Sequence, residues 1–212
     1  MKDDNLVRHL RMTNPGTPEG DYRPFPEKPG RNARQQRIEV PLFVRLLGLA
    51  GRSRILEVGC GAGVALPVLH RLCSPDLLVG LDIDGTALRT AAEHTAELRP
   101  GVRLLQADVR SIPAASASFD AVVDFGTCYH VGRGDLAIRE IERVLKPGGV
   151  FATESKLSQF LSHPVRSYGR SLRLAGSGLH LHAHFGLWIS MRKTGDSDPA
   201  CGAMPRVLHC PT

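Results

Sequence analysis

The chain predicts an α/β fold: a single doubly wound, mostly parallel sheet of about seven strands, with helices on both faces. Three observations carry this expectation. From Arg54 onward, short apolar runs alternate with segments of helical period, as parallel strands joined by crossover helices do. The run Ile55-Leu56-Glu57-Val58 enters three glycines spaced two apart, Gly59, Gly61 and Gly63. Residues without a Cβ, free to take φ > 0, suit a turn on which a ligand lies directly against the backbone. An acid, Asp82, closes the next apolar run at about the twenty-residue distance typical of nucleotide-binding units. In open sheets of this kind, ligands bind at the carboxyl ends of the strands.

Residues 1–31 hold six prolines or glycines from Pro15 to Pro26, with Pro29 and Gly30 beyond, a composition that forms no core alone. They read as a flexible arm or lid, offering Tyr22, Phe25 and several arginines to an acceptor. The domain itself is expected over 32–193. Asn32 is read as a helix cap, and the helical segment runs to about Leu49, divided at Pro41 into two short helices. Leu42, Phe43, Leu46, Leu47 and Leu49 form its docking stripe, and Gly51 ends it. Strands are expected at 54–58, 77–81, 102–106, 119–124 and 149–154. Helices are expected at 62–72, at 84–98 with Asp84 as cap, and at 135–145 opened by Asp135. A further helix can start near Ser162-His163-Pro164. Two late strands, 179–184 and 186–192, make a hairpin around Gly186, and the tail 194–212 shows no period.

A chain of 212 residues with 42% hydrophobic content suits one domain with a substantial core. No apolar stretch reaches the roughly eighteen residues of a membrane span, and the N-terminus lacks the basic-then-apolar pattern of a signal peptide. The five cysteines, Cys60, Cys73, Cys128, Cys201 and Cys210, are odd in number and scattered. They spell neither a disulfide framework nor a metal clip, so a cytoplasmic, reduced and metal-free protein is expected. Charge is unevenly spread. Residues 1–54 hold 11 basic against 6 acidic side chains, 55–154 hold 9 against 13, and 155–212 hold 7 against 2. The acidic centre favours a cationic ligand. The basic flanks can attract nucleic acid or an acidic small substrate, yet they lack aromatic interleaving and dense Lys/Arg runs, so a solvated surface is the preferred reading.

The glycine loop narrows the ligand. A dinucleotide fingerprint places its third glycine where Val64 stands, one residue later than Gly63. A phosphate loop needs Gly-Lys-Ser/Thr, whereas Val64, Ala65 and Leu66 follow Gly63. No basic side chain lies between Glu57 and Pro67, and Glu57 sits inside the motif. A pyrophosphate gains little from such a loop, and a positively charged ligand suits it.

Glu-x-Gly-x-Gly-x-Gly over 57–63 resembles motif I of the class I S-adenosylmethionine-dependent methyltransferases, whose fold is Rossmann-like. The resemblance continues in register through Leu78-Val79-Gly80-Leu81-Asp82-Ile83-Asp84, Gln106-Ala107-Asp108-Val109, Phe119-Asp120-Ala121-Val122-Val123-Asp124 and Val144-Leu145-Lys146-Pro147-Gly148-Gly149. It covers roughly Ile55 to Glu154 and implies S-adenosyl-L-methionine as cofactor, held by Glu57, Gly59, Cys60, Gly61, Asp82, Ile83, Asp108, Val109 and Asp124. It implies that Asp82 holds the ribose hydroxyls and that Ile83 lies on the adenine. Asp108 would accept from the adenine amino group, and Asp124 would border the methionine end. It also implies an antiparallel last strand.

Methyl transfer from a sulfonium is an in-line displacement in which much of the catalysis is alignment, with a base needed only for an acceptor that must lose a proton. The segment Asp124-Phe125-Gly126-Thr127-Cys128-Tyr129-His130 leaves the sheet on the ligand side. Within it, His130 is the candidate base and Tyr129 the candidate orienting group, while Cys128 is read as a small packed residue. His180, His182 and His184 alternate on one strand face, but no neighbouring acid or cysteine completes a zinc pattern, so they are read as solvent-facing. Trp188 is expected to pack on the sheet. Elimination favours a small-molecule acceptor. An RNA methyltransferase using the basic flanks and a non-catalytic S-adenosylmethionine-binding module are the alternatives, and the oligomeric state stays open.

Overall fold

Strands β1 (Arg54–Val58), β2 (Leu77–Asp82), β3 (Val102–Gln106), β4 (Phe119–Asp124), β5 (Leu145–Glu154), β6 (Leu179–Phe185) and β7 (Trp188–Lys193) form one sheet in the order β3-β2-β1-β4-β5-β7-β6. The computed structural model describes residues 29–128, 131–154, 178–185 and 188–194. β1 to β5 are parallel, and β7 runs antiparallel between β5 and β6. The chain moves outward from β1 through β2 to β3, then crosses back to β4 on the other side of β1. The crevice at the carboxyl ends of β1 and β4 is therefore the topological switch point, where open α/β sheets bind ligands.

Alternation along the strands divides the core into two layers. Leu56, Val58, Val122 and Phe151 face one layer, shared with Ile138 and Ile141 of α5 (Gly134–Val144). Ile55, Leu78, Ala121, Val123 and Val150 face the other, with Leu66 and Leu69 of α3 (Leu66–Cys73) and Leu88 of α4 (Gly85–His94). All six residues of β2 are buried, as a central parallel strand covered on both faces requires. Period two also places Glu57 on the face of Ile55, toward α3.

The N-terminal helices depart from expectation. α1 (Pro29–Arg34) passes through a π-helical turn (Gln35–Glu39) directly into α2 (Val40–Leu46), so Asn32 lies inside a helix and Pro41 does not divide it. Proline excludes the carbonyl four residues back and donates no bond of its own. The helix widens just ahead of it, Val40 N–H bonding Gln35 O five residues away. The continuous helix sets a new phase: Val40, Phe43, Val44 and Leu47 are buried at i, i+3, i+4 and i+7, while Leu42 is exposed. Gly48, at φ +64°, supplies the left-handed residue after this helix; Gly51, at φ +74°, turns the loop beyond.

α3 starts at Leu66 rather than 62 because Gly61 and Gly63 both take positive φ and remain a turn. Asp84 caps α4, accepting from Thr86 N at 2.7 Å, and a 3-10 turn (Ala96–Leu98) follows that helix. At α5 the residue ahead of the helix is Arg133, at φ +57°; Asp135 pairs with it at 3.0 Å instead of capping. β5 begins at Leu145, opposite Phe119, and slips at Pro147-Gly148-Gly149 before Val150 pairs with Ala121. The late hairpin forms, antiparallel as expected. His180 and His182 are exposed on its edge strand, Arg192 Nη2 lying 3.1 Å from His182 Nε2. The arm, Gly186, the helix proposed near Ser162-His163-Pro164 and the tail beyond Thr194 lie outside the described residues, as do the side chains of His184 and Trp188. Among the described residues, no helix is long and apolar enough to cross a membrane.

Candidate active site

The loop after β1 is tied across to β2. Cys60 N donates to Leu81 O at 2.9 Å, and Gly61 N donates to Asp82 Oδ2 at 2.7 Å. Its three glycines serve different purposes. At Gly59 (φ +67°) a Cβ would come within 2.6 Å of Thr127 Cβ, so this glycine lets the loop after β4 close on the loop after β1. At Gly63 (φ +73°) a Cβ would meet Ala91 Cβ at 2.9 Å and Leu66 Cδ1 at 3.3 Å, so it lets α3 and α4 pack closely. Among the described residues nothing lies within 4 Å of a notional Cβ on Gly61 (φ +52°), leaving room against the backbone for a ligand. Two residues that sequence reasoning missed brace this loop from outside. His94 Nδ1–H donates to Ala62 O at 2.8 Å, and Gln36, in the π turn, donates to Val64 O at 3.1 Å. Both act across 28 or more residues, so no local pattern announces them.

Four acids converge at the carboxyl ends of the strands, and their hydrogen-bond partners separate them. A carboxylate accepts about four hydrogen bonds. Asp124, fully buried, is saturated: Oδ1 accepts from Gly126 N (3.0 Å) and Thr127 N (2.6 Å), and Oδ2 from Cys128 N (3.2 Å) and Thr153 Oγ1 (3.1 Å). Its geometry organises the loop after β4. Asp82 accepts from Gly61 N on one oxygen and from Asp84 N (2.9 Å) on the other, with the Ile83 amide also stabilising the carboxylate, and it keeps capacity for a further donor. Burial raises both carboxyls above the usual range, opposed in each case by these bonds. Glu57 is the extreme case. The residue is 3% exposed, and Oε2 finds no hydrogen-bond donor among the described residues. Burial, then the charges of Asp82 and Asp124, push its carboxyl up to about 8.

Asp108 lies just past β3, next to β2 through Ala107 N donating to Asp82 O at 2.9 Å. Burial alone would raise its carboxyl, but hydrogen bonds and charge from Arg110 hold it below the usual range. Ile83 is half-buried, its carbonyl accepting from Gln106 Nε2 at 3.2 Å, and Val109 is buried in the core. Cys60 and Cys128 are both buried, and burial followed by neighbouring acids pushes both thiols far up, which leaves them unreactive packing residues. Phe125, beyond β4, meets Phe43 of α2 with ring centroids 4.6 Å apart, so the N-terminal helix supports this wall. Tyr129 and His130 lie outside the described residues.

A sheet of this order, with an acid-bearing glycine loop at its switch point, defines the class I S-adenosylmethionine-dependent methyltransferase fold. Comparison with known proteins finds likenesses to methyltransferases. Residues 56–153 match the family model described as a methyltransferase domain. The chain is 33% identical over 100 residues to the fatty-acid O-methyltransferase of Mycolicibacterium smegmatis, covering 47% of this chain and 35% of that protein. It is 36% identical over 131 residues to the ubiquinone/menaquinone biosynthesis C-methyltransferase UbiE of Syntrophotalea carbinolica, covering 60% and 55%. Among solved structures, a SAM-dependent methyltransferase from Aquifex aeolicus superposes with a TM-score of 0.61 over 79% of this chain and 98% of that one; at 18% identity the likeness is one of fold. The chain thus spans between about a third and somewhat over half of the length of these two curated relatives. Residues 56–153 are thus similar to a methyltransferase domain. Among the described residues the site fits a cationic, nucleoside-bearing ligand: a buried carboxylate oxygen on Glu57 without a donor, remaining acceptor capacity on Asp82, and open space above Gly61.

Proposed function

We propose that the protein transfers a methyl group from S-adenosylmethionine to a small organic acceptor. The observation that carries this reading is Glu57 Oε2, a buried acceptor with no donor among the described residues, set in a loop whose central glycine none of them crowds. Burying an unpaired acid is costly, and a cationic ligand offsets that cost. When bound, S-adenosylmethionine supplies an electrophilic methyl on a sulfonium. Glu57 would face its positive end, the remaining acceptor capacity of Asp82 the ribose hydroxyls, and Asp108 the adenine amino group. Ile83 and Val109 would flank the ring, and the backbones of Gly59, Cys60 and Gly61 would lie along the ligand. Asp124 would act at one remove, by fixing the loop that walls the methionine end. From that loop Tyr129 would orient the acceptor, and His130 would take a proton where the acceptor has one to lose. One relative is named for a fatty acid and the other for ubiquinone/menaquinone biosynthesis, which supports an apolar small-molecule acceptor; the arm over 1–31 would close over it.

The test is calorimetry with S-adenosylmethionine and S-adenosylhomocysteine, followed by transfer of labelled methyl to fatty acids, quinols and RNA. Micromolar binding with transfer to an apolar small molecule supports the reading. Transfer to RNA alone would replace the acceptor, and binding without any turnover would make the protein a cofactor-binding module. Folded protein that binds neither compound would overturn the proposal.

A further inference from the structure

Asp108 and Arg110 stand two residues apart in the turn after β3, and three N–H groups of Arg110 converge on one carboxylate. Oδ1 accepts from the backbone N (2.8 Å) and Nε (3.0 Å), and Oδ2 from Nε (3.0 Å) and Nη2 (2.7 Å). The pair is largely enclosed, the two side chains being 16% and 14% exposed for Arg110 and Asp108. The guanidinium is also fixed at a second point, since Nη1 donates to Gly132 O at 3.2 Å in the segment leading into α5. Two residues on, the same turn is pinned to α5. Ile112 N donates to Glu140 Oε2 at 2.8 Å, and Arg143 Nη2 donates to Ile112 O at 2.7 Å. Neither member of the pair is left free to swing.

Because the Nε–H is shared between the two oxygens, three donors, against the four separate donors on Asp124, occupy a carboxylate that can accept about four, which leaves it one further acceptor direction. We propose that Arg110 is a positioning residue that makes this site select an adenine over a purine carrying oxygen in place of the amino group, by holding the Asp108 carboxylate aimed. The proposal rests on the cofactor reading above. An ionised carboxylate is an acceptor only: it takes a hydrogen from an exocyclic amino group and repels a carbonyl oxygen. Without the fork, the carboxylate can rotate away from the amino group and its repulsion of a ring carbonyl is no longer aimed. The distinction between the two purines then fades.

The test compares the affinities of S-adenosylhomocysteine and its deaminated counterpart, S-inosylhomocysteine, by calorimetry on the full chain. Native protein should prefer the adenine compound by about tenfold or more, the scale of a charge-assisted hydrogen bond. In Arg110→Ala the preference should fall to about threefold or less, with the adenine compound weakened more than the inosine one. Arg110→Lys keeps a cation but cannot grip both oxygens and Gly132 together, and should lose a smaller part of the preference. It also serves as the readout if the alanine variant does not fold. Equal weakening of both compounds, leaving the ratio at the native value in a folded variant, would mean a merely structural arginine and overturn the inference. A native protein that binds neither compound would overturn the cofactor reading, and this inference with it.

Discussion

Replacing Glu57 by glutamine keeps the size of a buried side chain and removes its charge. The substitution should stabilise the apoprotein at neutral and alkaline pH while weakening its hold on S-adenosylmethionine. In the native protein this carboxyl is pushed from 4.5 up to about 8 by burial and by the neighbouring Asp82 and Asp124. The folded state therefore binds the proton more tightly than the unfolded chain between those values. Stability is fully present below pH 4.5 and falls as pH rises through 8. At about 1.4 kcal/mol per pH unit, the accumulated loss is about 3 kcal/mol at pH 7. Urea denaturation of Glu57→Gln should show a stability advantage that is small near pH 5 and grows steadily to pH 8.

Binding should show the converse. Near pH 7 about nine in ten Glu57 carboxyls are protonated in the free protein, so a cation that ionises the group should expel close to one proton. Calorimetry in buffers of different ionisation enthalpy reads that proton directly. Affinity should tighten about tenfold per pH unit between roughly 5.5 and 7, a window below the titration of the ligand's own α-amino group. Glu57→Gln should lose the slope. A native affinity flat across this window with no proton released, or a glutamine variant no more stable than native at pH 8, would refute the account of Glu57.

Gly61→Ala and Gly63→Ala should separate binding from folding. At the open Gly61 the added methyl costs about 1 kcal/mol of backbone strain yet should weaken the cofactor more than ~tenfold, whereas Gly63→Ala, pressed on Ala91, should lose ~2 kcal/mol or more of stability; paired melting and binding curves check this. Asp82→Ala should weaken S-adenosylmethionine by ~1.5–3 kcal/mol in calorimetry, the scale of a lost charge-assisted hydrogen bond. Asp124→Ala strips the shared acceptor from the amides of Gly126, Thr127 and Cys128 and should cost ~3 kcal/mol or more in urea denaturation.

Much of the fold was legible because its signals are short-range. Alternation located the strands to within a residue or two, apart from β5, whose first pairing at Leu145 precedes the Pro-Gly-Gly slip. The cap of α4 spans only Asp84 to Thr86. The N-terminal helix was misphased because a proline can end a helix or widen it, and only the packing of Val40, Phe43 and Val44 on the sheet decides which.

The candidate site was half legible for the same reason. By itself the sequence determined that a glycine loop carrying an acid and no base ends the first strand, and that further acids close the strands beside it. Those are facts of composition and spacing. It could not rank Glu57, Asp82, Asp108 and Asp124, which are alike as letters. Their ranking depends on donors that only folding delivers: Thr153, 29 residues from Asp124; Gly61, 21 from Asp82; and Gly132, which steadies the arginine on Asp108 from 22 residues away. The tertiary structure decided which carboxylates have lone pairs left for a ligand, because hydrogen-bond capacity is finite and its partners come from distant parts of the chain.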